Sequence, residues 1–191
     1  MFEKVADYIH VENAIPADIC RQVMEVIAPA HWAANAWYDA ATNRTYSEGS
    51  NEPDLFLCPR ELQGLLHPAM VAASEAYAAK YAYQDSDKTR QIMTRFSQIR
   101  FNRYGPGQVM RKHHDHIHSI FDGREKGIPV LSFVGNLNED YAGGELAFFN
   151  GEHKLALKTG DICMFPSCFL YPHEVREVRE GQRYSFAAWG W

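Results

Sequence analysis

The 191-residue sequence predicts a mainly β protein, a barrel or sandwich with helices packed on one of its outer faces. Three observations carry this reading. Before residue 90, apolar residues recur at helical spacing. From residue 92 onward the pattern becomes short segments of period two. Turn signals separate these segments: Ala-Gly-Gly at 142–144, Asn-Gly at 150–151, Thr-Gly-Asp at 159–161 and Glu-Gly-Gln at 180–182.

The elements follow in order. Residues 15–28, IPADICRQVMEVIA, place Ile19, Val23, Val26 and Ile27 on one helical face, with Pro16 and Asp18 near the start. Residues 37–56 are polar with Gly and Pro, which predicts a loop or an irregular hairpin. Residues 60–83 are Ala-rich, with Leu62, Leu65, Leu66, Met70, Ala73 and Tyr77 at helical spacing. The strands then run over 97–104, 129–138, 144–150, 153–158, 161–166, 172–178 and 183–191. Residues 1–191 are expected to form a single domain, with 1–90 as helical support and substrate loop and 91–191 as the strand core.

Composition narrows the function. Hydrophobic residues make up 46% and charged residues 23%, as in ordinary globular chains. The net charge of −5 argues against broad nucleic-acid binding, and no stretch approaches the length of a membrane span. Cys20, Cys58, Cys163 and Cys168 are scattered, without metal-binding or disulfide spacing, so a reducing, cytoplasmic setting is expected. Cys163, in an apolar run, is expected to pack as a small buried hydrophobe.

The chemistry gathers in residues 112–120, KHHDHIHSI. On a strand, His113 and Asp115 share one face while His114, His116 and His118 share the other. Two ligand pairs therefore compete. His113 with Asp115, completed by a distant histidine, gives two imidazoles and one carboxylate, which leaves open positions and suits non-haem Fe(II). His114 with His116 belongs to an all-histidine set that suits zinc better. A zinc hydrolase also needs a general-base carboxylate. Glu174 lies next to His173, but strand alternation turns it away.

Several ordered segments resemble the prolyl 4-hydroxylase-like 2-oxoglutarate oxygenases. RYGPGQVMRKHHD is similar to their Tyr-Gly-x-Gly…His-x-Asp stretch, LNEDYAGGEL to their Leu-Asn…Gly-Gly-Glu-Leu, and KTGDICMFPS to their Gly-Asp-x-x-x-Phe-Pro. PHEVREVREGQRYSFAAWGW resembles their His-x-Val…Gly-x-Arg-x-Ser…Trp ending, and the specific likeness spans roughly 95–191. The resemblance implies a double-stranded β-helix (jelly-roll) core flanked by helices. It implies Fe(II) held by His113, Asp115 and His173, with 2-oxoglutarate and O2 as cosubstrates and ascorbate as an auxiliary reductant. It assigns the distal carboxylate of 2-oxoglutarate to Arg183, with Ser185 two residues on along the same face and Tyr104 adding a phenolic hydrogen bond across a small gap. Trp189 resembles a tryptophan that walls the iron pocket, and Arg44-Thr45 resembles a pair beside a loop that folds over peptide. Asn136 stands where the family often has a tyrosine.

What the resemblance implies is hydroxylation of an unactivated carbon, first of all in a prolyl residue of a peptide or protein. A free amino acid or other small molecule is the alternative substrate, and a non-catalytic jelly-roll binding module the alternative class. His114, His116 and His118 are expected to face solvent or the partner sheet, and Gly105 and Gly107 to serve a turn.

Overall fold

The computed structural model describes residues 3–35, 37–39, 44–46, 51–81, 93–115 and 127–191. Among them the first half of the chain forms α1 (Glu3–Ala6), β1 (His10–Asn13), α2 (Ala17–Ile27), β2 (Ala33–Ala34), β3 (Trp37–Asp39), β4 (Arg44–Tyr46), β5 (Asp54–Leu57) and α3 (Arg60–Tyr81). The second half forms β6 (Arg100–Tyr104), β7 (Met110–His113), β8 (Leu131–Asn136), β9 (Tyr141–Gly143) and β10 (Leu146–Phe148). It continues with β11 (His153–Leu155), β12 (Asp161–Pro166), β13 (His173–Val175), β14 (Val178–Gly181) and β15 (Arg183–Gly190).

Two antiparallel sheets face each other. The larger has the order β1-β12-β8-β15-β6-β5-β2, and the smaller β11-β10-β13-β7. Two-stranded pieces, β14-β9 and β3-β4, complete the strands. The large sheet thus draws three of its seven strands from residues before 90. Within the segment 37–56, β3 pairs antiparallel with β4, and β5 pairs antiparallel with β6.

The period-two rows of the large sheet divide the core in two. One row, which includes Phe101, Phe133, Ile162, Met164, Tyr184, Phe186 and Ala188, packs with Val23 and Ile27 of α2 and Leu66 and Met70 of α3. The alternate row turns inward, where Tyr104, Cys163 and Phe165 meet Leu146, Phe148 and Val175 from the smaller sheet. Cys163 is fully buried, as its apolar setting predicts, and burial pushes its thiol pKa up.

Local details differ from the sequence reading where tertiary packing decides. The buried face of α2 is Cys20, Val23 and Ile27, while Val26 is 47% exposed, because the sheet meets the helix one residue round from the predicted stripe. α3 continues through Pro68, whose missing N–H leaves the Gly64 carbonyl without its intrahelical donor. The predicted strand 172–178 splits into β13 and β14, since the register shifts between His173 and Val175 and β14 leaves to pair with β9. Gly107, at φ +83°, makes the turn that lets β6 return as β7.

Candidate metal centre

His113 ends β7 and His173 begins β13, and these two residues are direct cross-strand partners. The 58-residue separation between Asp115 and His173 is therefore closed by one antiparallel pairing. Asp115 lies just past the end of β7, between the two imidazoles. Its Oδ1 is 3.5 Å from Nε2 of His113 and 3.7 Å from Nε2 of His173. One ligand atom from each of the three lies within 4.8 Å of the others.

The backbone sets the direction of both rings. Nδ1 of His113 is 2.7 Å from the Arg111 carbonyl, and Nδ1 of His173 is 3.0 Å from the Tyr171 carbonyl. A carbonyl only accepts, so each Nδ1 carries the proton and each Nε2 presents its lone pair toward Asp115. Phe148 and Phe165 pack against the His173 ring, with centroids 5.6 and 4.7 Å away. Burial pushes the His173 pKa down to about 4, with Asp115 offsetting only part of the fall. Burial opposes ionisation of Asp115 too, but His173 and His113 outweigh it and hold this carboxyl well below the usual carboxylate range. For His113, burial pulls the pKa down while the Asp115 hydrogen bond and charge prevail, so the net direction is upward. A neutral buried imidazole beside an ionised carboxylate is the form that binds a metal.

Among the described residues, His114 does not join this cluster. His114 is exposed, and His116 and His118 lie outside the described residues. Glu174 points to the opposite face, where its carboxylate meets Arg176 Nε at 3.3 Å, so it is no general base for a metal-bound water.

A second constellation lies on the inner face of β15 and β6. Arg183 is 1% exposed. Its Nη1 donates to the Ser185 hydroxyl at 2.9 Å, and its guanidinium sits 5.1 Å from the centroid of the equally buried Tyr104 ring. Nε and Nη2 of Arg183 are buried without any partner. Burial pushes the Tyr104 phenol pKa up, against the opposing charge of Arg183. Trp189 shares the Arg183 face of β15, and its Nε1 is also unpartnered. Arg44 pairs with Asp39 in the β3-β4 pairing, and its side chain lies outside the described residues.

Apart from Asn136, four residues escape the motif reading: Tyr141, Gly144, Arg100 and Asn102. Asn136, in place of a tyrosine, is held by its amide to the carbonyls of Asn138 and Leu157 at 2.7 and 3.0 Å. The Tyr141 hydroxyl donates to its Oδ1 at 3.2 Å, so a tyrosine from β9 stands beside this position. Gly144, at φ +69°, lies so close to Arg183 that a Cβ would come within 2.8 Å of its Cδ. Arg100 and Asn102 lie on the inward row of β6 with Tyr104, and each has a buried unpartnered polar atom. Their signal is polarity inside a strand of alternating pattern, which period-two counting leaves without a side.

Comparisons with known proteins agree with this geometry. The 2OG-Fe(II) oxygenase superfamily pattern matches residues 99–191. A PKHD-type hydroxylase of Prochlorococcus marinus (strain MIT 9515) is 41% identical over 63 residues, 31% of this chain and 28% of that protein. Another, of Herminiimonas arsenicoxydans, is 25% identical over 193 residues, covering 95% of this chain and 77% of that protein. The chain thus spans less than a third of the length of the first of these relatives and about three quarters of the second. A Pseudomonas putida prolyl-4-hydroxylase structure superposes with a TM-score of 0.66 at 20% identity, covering 100% of this chain and 98% of that one. A Trichoplax adhaerens prolyl hydroxylase, in complex with a hypoxia inducible factor peptide fragment, gives 0.65 at 15% identity over 96% and 83%. Both neighbours share the jelly-roll arrangement of facing antiparallel sheets. The strand-rich half of the chain, residues 99–191, thus matches the 2OG-Fe(II) oxygenase superfamily pattern, and the whole chain shares its fold with the two prolyl hydroxylase structures.

Proposed function

We propose that this chain is an Fe(II)- and 2-oxoglutarate-dependent dioxygenase that hydroxylates an unactivated carbon, with a prolyl residue of a peptide or protein as its substrate. One observation carries the reading: a two-histidine, one-carboxylate cluster beside a fully buried arginine whose Nε and Nη2 lack partners. Those donors suit a carboxylate brought in from outside, and the open-sided donor set suits Fe(II). The proline assignment is supported by relatives described as PKHD-type hydroxylases and by the peptide-bound prolyl hydroxylase neighbour.

His113, Asp115 and His173 would hold the metal through Nε2, a carboxylate oxygen and Nε2. When bound, Fe(II) with 2-oxoglutarate and O2 supplies oxidation of a C–H bond, with succinate and CO2 formed alongside. The chain's own part is orientation and exclusion of water. Arg183 would take the distal carboxylate through a fork of parallel N–H donors, with the Ser185 hydroxyl and the Tyr104 phenol beside it. The Arg111 and Tyr171 carbonyls keep both imidazoles in the metal-binding tautomer. Trp189 would wall the iron pocket, and Arg44, in β4, is assigned a place beside a loop that folds over peptide. A cytoplasmic setting is part of the proposal, and the free thiols of Cys20, Cys58, Cys163 and Cys168 are compatible with it.

The test is incubation with Fe(II), 2-oxoglutarate and ascorbate, with succinate measured in the presence and absence of proline-rich peptides and mass spectrometry for gain of one oxygen atom. Turnover that requires zinc and ignores 2-oxoglutarate sinks the proposal.

A further inference from the structure

Among the described residues, five buried side-chain polar atoms lack a hydrogen-bond partner. They are Arg100 Nε, Asn102 Oδ1, Arg183 Nε and Nη2, and Trp189 Nε1. They are not scattered. All belong to β6 and β15, which are adjacent, with Arg100 opposite Ala187, Asn102 opposite Ser185 and Tyr104 opposite Arg183. Alternation puts all four residues on the inner face. The Arg183 end of this row is accounted for by the cosubstrate. The Arg100 end is not.

Register separates the two ends. Arg183 and Ala187, the partner of Arg100, are four residues apart, about 13 Å along the strand. The carbon chain of 2-oxoglutarate spans roughly 5 Å between its carboxyl carbons. A molecule gripped at Arg183 and chelated at the metal therefore leaves Arg100 unserved. Arg100 belongs instead to the metal end, since its charge acts on His113 and feels Asp115.

The groups facing Arg100 do not neutralise it locally. Its guanidinium lies 5.4 Å from the centroid of the Trp189 ring. The carboxylates acting on it are Asp115 and Glu52, with Tyr104 as the third group. Asp115 is committed to the histidine cluster. Glu52 is engaged by the Arg111 backbone N–H at 3.3 Å, the Arg111 guanidinium at 3.4 Å and the Asn35 amide at 3.5 Å. Burial, the largest influence on Arg100, disfavours its charge, so an incoming anion would relieve a desolvated cation.

We propose that Arg100, assisted by the indole N–H of Trp189, is a second carboxylate hook beside the metal, and that it selects a substrate carrying a carboxylate next to the carbon that is hydroxylated. The inference rests on the oxygenase reading and sharpens its substrate class. The carboxylate has two possible sources: the substrate's own α-carboxylate, as in a terminal or free prolyl group, or the side chain of an acidic neighbour within a peptide. In either case a planar fork over an aromatic wall recognises the anion, while the cosubstrate stays on Arg183.

The test is equilibrium binding to the full chain loaded anaerobically with Fe(II) and 2-oxoglutarate. The probes are N-acetylproline, N-acetylprolinamide and N-acetyl-aspartyl-prolinamide. One or both carboxylate probes are expected to bind at least about tenfold more tightly than the neutral amide, the worth of one charge-assisted pairing. N-acetylproline leading identifies the α-carboxylate as source, and the aspartyl probe leading identifies the side chain. Arg100→Met should erase the preference, Arg100→Lys should keep part of it, and Trp189→Phe, which keeps the wall and loses the N–H, should weaken it. Equal binding of charged and neutral probes overturns the proposal, as does no binding of any carboxylate probe, or a preference that survives in R100M. Fe(II) affinity is measured alongside. If R100M loses Fe(II) binding by the same factor as probe binding, Arg100 merely positions Asp115 and the hook is refuted. Failure of the oxygenase reading is seen separately, as absence of 2-oxoglutarate-dependent succinate in the wild type.

Discussion

Replacing Arg183 tests the cosubstrate site on both sides of the binding equilibrium. In the structure its guanidinium has one partner, Ser185 Oγ at 2.9 Å, and two buried donors with none. Two charge-assisted hydrogen bonds to a carboxylate are worth on the order of 3–6 kcal/mol together. Arg183→Met should therefore weaken 2-oxoglutarate binding by roughly two to four orders of magnitude. Arg183→Lys keeps a charge but not the fork, and should lose one bond of the pair, roughly a 10- to 150-fold effect. The same orphaned donors cost about 1–3 kcal/mol each while no ligand is present. R183M without metal or cosubstrate should thus be at least as stable as the wild type, although its ligand affinity collapses. Calorimetric titration with 2-oxoglutarate under anaerobic conditions reads the first quantity, and thermal unfolding of the metal-free protein the second. Wild-type affinity in R183M refutes the assignment. So does a metal-free Tm lowered by more than about 4 °C, on the order of 1 kcal/mol or more here, which would make Arg183 a structural residue.

The other expectations use the same protein. Chelation should abolish 2-oxoglutarate turnover, Fe(II) should restore it, and Asp115→Ala should prevent the restoration while reducing Fe(II) affinity at least about 100-fold in equilibrium dialysis. Gly144→Ala puts a Cβ 2.8 Å from Arg183 Cδ at φ +69°, so it should raise the KM for 2-oxoglutarate and cost about 1–3 kcal/mol of stability. Gly135→Ala drives a Cβ to 2.0 Å from the Phe186 ring and should lower Tm through overpacking by about 1–3 kcal/mol or more, readable by calorimetry. His173 has a folded-state pKa of about 4, below its ordinary 6.5. The unfolded chain therefore takes up this proton first, and metal-free stability should fall from about pH 6.5 down to about pH 4. Denaturant unfolding across that window should show a shallower fall in His173→Gln, and an unchanged slope would contradict the assignment.

The metal cluster was legible because its residues are chemically rare and ordered along the chain. His113 and Asp115 share a strand parity, and the segment around His173 carries a recognisable pattern. What the sequence could not show is that His113 and His173 are direct cross-strand partners, since register depends on long-range packing. Helix existence was equally legible, but Val26 was assigned to the wrong face because the exposed and buried edges of α2 differ by one position. Short strands were hardest. β1 and β5 lie in segments read as helical or loop, and they are strands because the edges of β12 and β6 supply partners for their backbones. Tyr141 and Gly144 escaped because their relation to Asn136 and Arg183 exists only once β9 and β14 pair.

The division of the core explains why one strand pair can carry two arginines with buried, unpartnered N–H groups. A strand row that faces a barrel interior is ordinarily the hydrophobic one, since burial there is the main source of stability. Here the outer row of β6, β8, β12 and β15 holds much of the apolar core, because α2 and α3 cover it with Val23, Ile27, Leu66 and Met70. That leaves the inner row of β6 and β15 free to be polar: Arg100, Asn102, Arg183 and Ser185 lie there, and the outer cluster offsets their desolvation. The helices therefore do more than shield the sheet. They move the stabilising contacts to the side away from the chemistry, so stability and ligand selection fall on opposite faces of the same strands. Large-to-small changes on the outer face should then lower Tm with little effect on 2-oxoglutarate affinity, whereas changes to the polar inner row of β6 and β15 should do the reverse.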